Sequence, residues 1–356
     1  MPVEMIGWIA PRVSSEIIPA TGPAFDADVI AHTAHVHEDA GFDRVLIGYF
    51  ADAPDGFLVG ARAAQVTDRL GFLLAHRPVF VSPTVAARKL ATLDQLTDGR
   101  LAVHLIAGGS PVDQAKDGDH TDHTARYRRL TEYAEVLRRT WTETAPFDHS
   151  GAFYDIQGAY AEIRCKQAPH IPMFGGGGSD AAIAALAPFA NTFMLWGEPL
   201  TDTTAFMTRV TAAAANHNRH PNFSLSTRPI LAETDDQAWD RAHQILADIH
   251  RIRGDAPPPT RHNEGSKRLL AAAARQDVHD ACLWTKLAEA TGAAGNSTAL
   301  VGASDTVADA LAEYYKIGAS SLLIRGYDPL RDAEQYGAEL IPLVRERIAA
   351  IDAAAA

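Results

Sequence analysis

Cysteine is nearly absent from this chain: of 356 residues only Cys165 and Cys282 carry thiols, too few for a disulfide framework and without a zinc spacing. Such usage fits a reducing compartment, with each thiol a buried apolar group. Long apolar runs are missing too, and Met1-Pro2-Val3-Glu4 lacks the basic, apolar and small-residue order of a signal peptide. A cytoplasmic protein with no membrane partner is expected. Positive charge is in deficit, with 32 Lys and Arg against 44 Asp and Glu and a formal net charge of −12, which argues against a nucleic-acid partner. In His120-Thr121-Asp122-His123 no third ligand follows at suitable spacing, so these read as solvated loop histidines and no metal is expected. Ser110-Pro111 and Ser179 lack a G-x-S-x-G elbow, which argues against serine nucleophile chemistry.

What the chain does have is alternation. Short β-rich apolar runs at 3–9, 44–47, 71–75, 101–106, 171–174, 192–195, 223–232 and 320–324 are separated by helical patterns. Eight such βα units favour one closed (β/α)8 TIM barrel with insertions, a single domain over residues 1–356. Ser82-Pro83 offers a capping hydroxyl before a proline at the first helical position, and Asp98-Gly99 ends that helix. Residues 151–165 read as an inserted hairpin. Residues 251–296 exceed an ordinary βα loop and read as a mobile lid over the mouth or as a surface excursion.

Functional groups of such a barrel lie at the C-terminal ends of its strands. Those positions hold Trp8, Arg12, Tyr49, His76, Arg77, the segment from His104 through Ala107 and Gly108, Trp196, Arg228, Arg325 and Tyr327. Aromatic residues and arginines dominate and carboxylates are few, which suits a flat cofactor with a polar or anionic substrate better than paired-carboxylate chemistry. Between the fifth strand and its helix runs Gly175-Gly176-Gly177-Gly178-Ser179. Glycines there let the backbone approach a ligand closely, so the run reads as a phosphate cradle or as a turn for tight strand-to-helix packing.

Several motifs in one order resemble the alkanesulfonate monooxygenase group of the bacterial luciferase-like superfamily. They are Ala75-His76-Arg77-Pro78, the run from Ser82-Pro83-Thr84-Val85 to Asp98-Gly99-Arg100, Asp122-His123 with Arg126-Tyr127, and the glycine run to Asp180. Leu195-Trp196-Gly197-Glu198-Pro199, Glu233-Thr234-Asp235 to Trp239, and Thr298-Ala299-Leu300-Val301-Gly302 continue the likeness over nearly the whole chain. The resemblance implies a barrel that borrows reduced FMN (FMNH2) from a separate NAD(P)H-dependent flavin reductase and reacts it with O2. Gly176, Gly177, Gly178, Ser179 and Tyr127 would hold the phosphate, and His76, His104, Ala107 and Gly108 would line the isoalloxazine ring. A homodimer or homotetramer built on early helices is also implied.

At the substrate end the chain departs from the group. Trp196 is kept, but Ser226 stands where an arginine is expected, Arg228 where a histidine is expected, and Thr291 on or near the position of the arginine of the mobile segment; Ala53 replaces a cysteine. Two lost guanidinium forks weaken sulfonate recognition. Trp196, Arg228 and Arg325 are therefore assigned to catalysis, and Trp8, Arg12, Tyr49 and Tyr327 to a small organosulfur compound or nitrogen heterocycle. Arg228 could equally pair with a rim carboxylate, and Arg325 with its own turn. The alternatives are an F420-dependent oxidoreductase of the same fold and a non-catalytic flavin-binding protein.

Overall fold

The computed structural model describes residues 3–257 and 263–355. Thirteen strands run in chain order among these residues: β1 Glu4–Ile9, β2 Arg44–Ile47, β3 Gly71–His76, β4 Leu101–Leu105, β5 Phe147–Ser150, β6 Asp155–Ala159, β7 Met173–Gly176, β8 Thr192–Trp196, β9 Asn222–Ala232, β10 Val278–His279, β11 Leu283–Trp284, β12 Ala299–Ala303 and β13 Ala319–Ile324. Parallel pairing runs β1-β2-β3-β4-β7-β8-β9-β13 and returns to β1, which closes an eight-stranded barrel. The expected (β/α)8 architecture is present.

Helices cover the barrel: α1 Ala27–Asp39, α2 Gly56–Ala64, α3 Pro83–Leu96, α4 Pro111–Lys116, α5 His123–Thr142, α6 Asp180–Leu186, α7 Leu200–Ala215, α8 Asp235–Arg253, α9 Glu264–Arg275, α10 Lys286–Thr291, α11 Ser304–Lys316, α12 Arg331–Gln335 and α13 Ile341–Ala355. None is long and apolar enough to cross a membrane among the described residues. Their starts follow capping chemistry, with the side chains of Asp26, Ser110, Asp122, Ser179, Thr234 and Asn263 accepting from free N–H groups of the first turn. Ser82 departs from this: it precedes Pro83 as expected but does not cap, and its hydroxyl lies 3.3 Å from that of Thr84. Asp98 and Gly99 take φ of +52° and +79°, the left-handed turn that ends α3.

Period-two alternation sorts the strand residues into two layers. Ile6, Leu46, Leu73, Ala75, Ala102, Phe174 and Leu323 fill the lumen, with Trp8, Tyr49, Ile106 and Met194 packed against them. Phe72, Leu74, Val103 and Met173 belong instead to the layer between strands and helices, the main core. The inserted hairpin starts earlier than residue 151: β5 pairs with β6, and the intervening turn is fixed by Glu132, whose carboxylate accepts the N–H groups of Ala152, Phe153 and Tyr154.

β9 has 11 residues and serves two sheets. Its first half lies in the barrel between β8 and β13, while Arg228 to Ala232 pair with β12, which carries the β11-β10 ribbon. The long segment read as an insertion thus contains α9, that ribbon and α10, and returns through β12, a strand the alternation did not separate. Part of that segment, residues 258–262, lies outside the described residues.

Candidate active site

The glycine run leaves the end of β7 and leads into α6, whose N-cap is Ser179; Ser179 Oγ accepts from Ala182 N at 3.1 Å. Gly177 and Gly178 are sterically required here, and Gly176 is tightly packed. A Cβ on Gly176 would lie 3.1 Å from Met194 O, one on Gly177 2.6 Å from Ala182 Cβ, and one on Gly178 2.9 Å from Gly265 N. Gly177 also has φ +152°, a backbone that side-chain-bearing residues rarely adopt. Tyr127 of α5 reaches this loop, where a Cβ on Gly177 would collide with its hydroxyl oxygen; burial, against the opposing pull of Arg126, pushes that hydroxyl up to about 12, so it stays neutral.

Below the loop, His104 of β4 is close enough that a Cβ on Gly176 would be 3.6 Å from its Nε2. That Nε2 is buried and has no hydrogen-bond partner among the described residues. Burial lowers the His104 pKa to about 4, so the ring is a neutral imidazole with an unused polar edge. Ala107 and Gly108 are held by their carbonyls: Arg126 Nε donates to Ala107 O at 3.1 Å and Gln114 Nε2 to the same oxygen at 2.7 Å, while Arg126 Nη2 donates to Gly108 O at 3.4 Å. Gly108 has φ +83°, and a Cβ there would collide with Gln114.

A cleft of about 660 Å³ opens beside this loop, lined among others by His123, Arg126, Ser179, Arg209, Asn263 and Arg268. One wall belongs to α9. Gly265 packs so closely on Trp196 that a Cβ would lie 2.7 Å from the indole, and Trp196 also packs with Leu269, Ala288 and Ala293. Arg268 grips Glu198 with Nε at 2.8 and 2.9 Å from its two oxygens. The inserted segment therefore covers Trp196 and borders the cleft.

On the opposite side of the mouth, arginines meet a carboxylate the sequence reading missed. Arg228 is fully buried, with Nη1 2.7 Å from Glu16 Oε1, Nη2 donating to Gly326 O at 2.8 Å and Nε to Arg325 O at 3.3 Å. Its guanidinium also lies 3.6 Å from the ring centre of Tyr327. Burial alone would raise the Glu16 pKa, but Arg228 and then Arg325 outweigh it and hold the carboxyl at about 2. Arg325 lies over Trp8 at 5.1 Å and 3.6 Å from Glu16 Oε2. The rim-carboxylate reading of Arg228 thus describes its surroundings, whereas a catalytic or substrate-contacting role meets a side chain whose donors are already engaged. Tyr327 is buried beneath it and does not face open space.

His76 is a correction. It alternates with Leu73 and Ala75 of the lumen and so points outward into the helix layer, where Nε2 lies 2.7 Å from Tyr133 Oη and the ring meets Phe57 edge-on. It lines no flavin face of the lumen; burial holds it neutral, with a pKa of about 4. Tyr49 is in the mouth, but its hydroxyl donates to Asp117 Oδ2 at 3.2 Å and Arg77 lies 4.5 Å over its ring. Arg77 in turn is 2.5 Å from Asp113 Oδ2 and ties α4 to the barrel, a clamp not read from the sequence. Arg12 is half-buried on the loop after β1. The signal for Glu16 was the shortage of carboxylates at strand ends: buried arginines need a counter-charge, and it had to come from a loop.

The family model described as luciferase-like monooxygenase matches residues 5–321. Among solved structures, the chain is similar to riboflavin lyase in complex with a modified FMN and riboflavin, at 16% identity and a TM-score of 0.80 over 98% of this chain and 92% of that one. EDTA monooxygenase from Chelativorans sp. BNC1 matches at 17% identity and a TM-score of 0.77, over 98% and 94%. The coenzyme F420-dependent tetrahydromethanopterin reductase of Methanopyrus kandleri matches at 19% identity and a TM-score of 0.71, over 96% and 99%. At these identities the structures establish the shared fold, and the family model establishes membership. With its closed parallel barrel and a glycine loop beside a cleft bordered by α9, the chain belongs to the luciferase-like family of flavin-dependent monooxygenases.

Proposed function

We propose that this protein is the oxygenating component of a two-component system, binding FMNH2 released by a separate NAD(P)H-dependent flavin reductase and using O2 to oxygenate or cleave a small organic substrate. The observation that carries this reading is the buried, unpartnered Nε2 of His104 beside a glycine loop that opens on the 660 Å³ cleft. An orphaned polar atom in a lumen filled by apolar side chains is costly unless a partner completes it. Ser179 and the neutral Tyr127 hydroxyl would bind the phosphate end, and His104 would meet a polar edge of the ring system. When bound, the reduced flavin supplies the electrons that activate oxygen.

The chain's own contribution is positioning and exclusion of water. α9 covers Trp196 and borders the cleft, and the Arg268 to Glu198 pair fastens it to the barrel. Opening of this segment would admit flavin and substrate, the role of a mobile lid. The working form is a cytoplasmic homodimer or homotetramer, for which exposed Leu58 of α2 and Val85 and Leu96 of α3 offer an apolar face. The substrate classes retained are organosulfur compounds and nitrogen heterocycles.

Anaerobic titration with FMNH2, oxidised FMN and reduced F420 is the deciding experiment, followed by a flavin reductase, NADH and O2 with a substrate panel. Selective FMNH2 binding with a product formed only in the protein's presence supports the reading. Preference for F420 would replace it with a hydride-transferring oxidoreductase, and flavin binding without turnover across the panel would favour a carrier.

A further inference from the structure

Charge counting in the mouth carries a narrower conclusion about the substrate. The groups engaged with one another there are two guanidinium ions, Arg228 and Arg325, and one carboxylate, Glu16. One positive charge is left over. Arg228 has spent its donors on Glu16, Gly326 O and Arg325 O, so it is not the open one.

Arg325 differs in every respect. Its nearest carboxylate oxygen, Glu16 Oε2, is 3.6 Å away, beyond hydrogen-bonding distance, and that oxygen has no hydrogen-bond partner among the described residues. Its side chain retains 27% of its exposure, and one face is covered by Trp8 at 5.1 Å. Trp8 packs with the lumen residues near the C-terminal end of β1, and Arg325 directly follows β13, two residues after the lumen residue Leu323, at the end of the barrel where this fold docks its substrates. The guanidinium makes no side-chain hydrogen bond among the described residues and shares its nearby carboxylate with Arg228. Burial, with the neighbouring charge of Arg228 adding to it, lowers the Arg325 pKa, so an arriving anion would relieve an existing cost.

We propose that Arg325 is the docking point for a substrate bearing a single negative charge, a carboxylate or sulfonate on a small organic molecule, and that Glu16 is the specificity-determining residue that excludes dianions. The inference rests on reading the C-terminal mouth as the place where substrate binds. One oxyanion on Arg325 completes an alternating row of two cations and two anions. A second negative charge on the same ligand faces Glu16 with no cation left to meet it. Glu16 thereby selects on charge number rather than on shape.

The test uses the flavin-free full chain, so that its outcome is independent of FMNH2 binding. Methanesulfonate and dimethyl sulfone have nearly the same shape and differ by one charge; sulfate is of similar size with two. Ligand-observed saturation-transfer NMR in low-salt zwitterionic buffer, with sulfate read by displacement of methanesulfonate, should rank methanesulfonate at least tenfold above both. Arg325→Gln should reduce the preference over the sulfone to below threefold, and Arg325→Lys should keep most of it. Glu16→Gln should raise sulfate affinity at least tenfold relative to methanesulfonate. Equal binding of the sulfone, or a preference that survives Arg325→Gln, would overturn the docking role. Should Glu16→Gln not fold, the wild-type ranking decides the charge count, and sulfate binding as tightly as methanesulfonate would overturn it.

Discussion

The two halves of the mouth are built on different plans. On the side of β4, β7 and β8, polar groups are left unfinished: a glycine loop, a neutral tyrosine hydroxyl, an imidazole nitrogen without partner among the described residues, and a cleft bordered by α9. On the side of β1, β9 and β13 a buried arginine is bonded to a carboxylate and two carbonyls and a second arginine is only loosely held, while Glu16 Oε2, Thr227 Oγ1 and Tyr327 Oη beside them have no hydrogen-bond partner among the described residues. Residue types alone do not separate binding groups from scaffold, since both halves use polar residues at strand ends. What separates Arg228 from His104 is that the protein has already supplied a partner for each guanidinium nitrogen.

Mutations should divide along that line. Arg228→Ala should have the largest effect on stability, about 2–3 kcal/mol, because it empties a buried site, frees two carbonyls and leaves the part-exposed Glu16 with only the looser Arg325; urea denaturation measures it, while FMNH2 affinity of the folded fraction should stay within about threefold. Gly177→Val should do the reverse. Overpacking against Ala182 and Tyr127 costs about 1–3 kcal/mol, and FMNH2 binding should weaken at least tenfold, a loss of about 1.4 kcal/mol or more. An unchanged Kd would remove the cradle from the binding site.

Acid separates the halves by pH. His104, held at about 4 against an ordinary 6.5, refuses protons that the unfolded chain accepts, so its share of stability is lost as pH falls from 6.5 towards 4. Glu16, held at about 2 against 4.5, contributes above pH 4.5 and loses that contribution as pH falls towards 2. The urea midpoint followed against pH should therefore flatten in the upper window for His104→Asn, by up to about 1.4 kcal/mol per pH unit, and in the lower window for Glu16→Gln. His37 and His76, also lowered to about 4, set the residual slope of the upper window. Tyr127→Phe should be the mildest change, about 1 kcal/mol in flavin binding by equilibrium titration.

The barrel was legible because the alternation of apolar runs and helical patterns survives in each unit, and glycine loops and caps are local signals. Side-chain direction was not. β3 is buried along its whole length, so a period-two pattern has no polar face to show, and His76 could be placed only by register with Leu73 and Ala75 in the closed sheet. The partner of Arg228 was hidden for a related reason: a rim carboxylate could be expected, but Glu16 comes from a loop near the other end of the chain, and no spacing rule links them. β12 went unseparated because its pairing partner is the upper half of a strand already assigned to the barrel.

That doubled strand has a consequence for timescale. Because β9 hydrogen-bonds to both the barrel and β12, the foot of the inserted segment shares a cooperative unit with the barrel wall, while α9 meets the barrel through the bare backbone of Gly265 and side chains such as Arg268 and Leu269. Amide deuterium uptake should accordingly run as a gradient, slow at Leu300 and Val301 where opening requires unzipping the wall, and faster along α9, where parting a few side-chain contacts suffices. The cover over Trp196 is thus free to breathe on a clock that the barrel does not set.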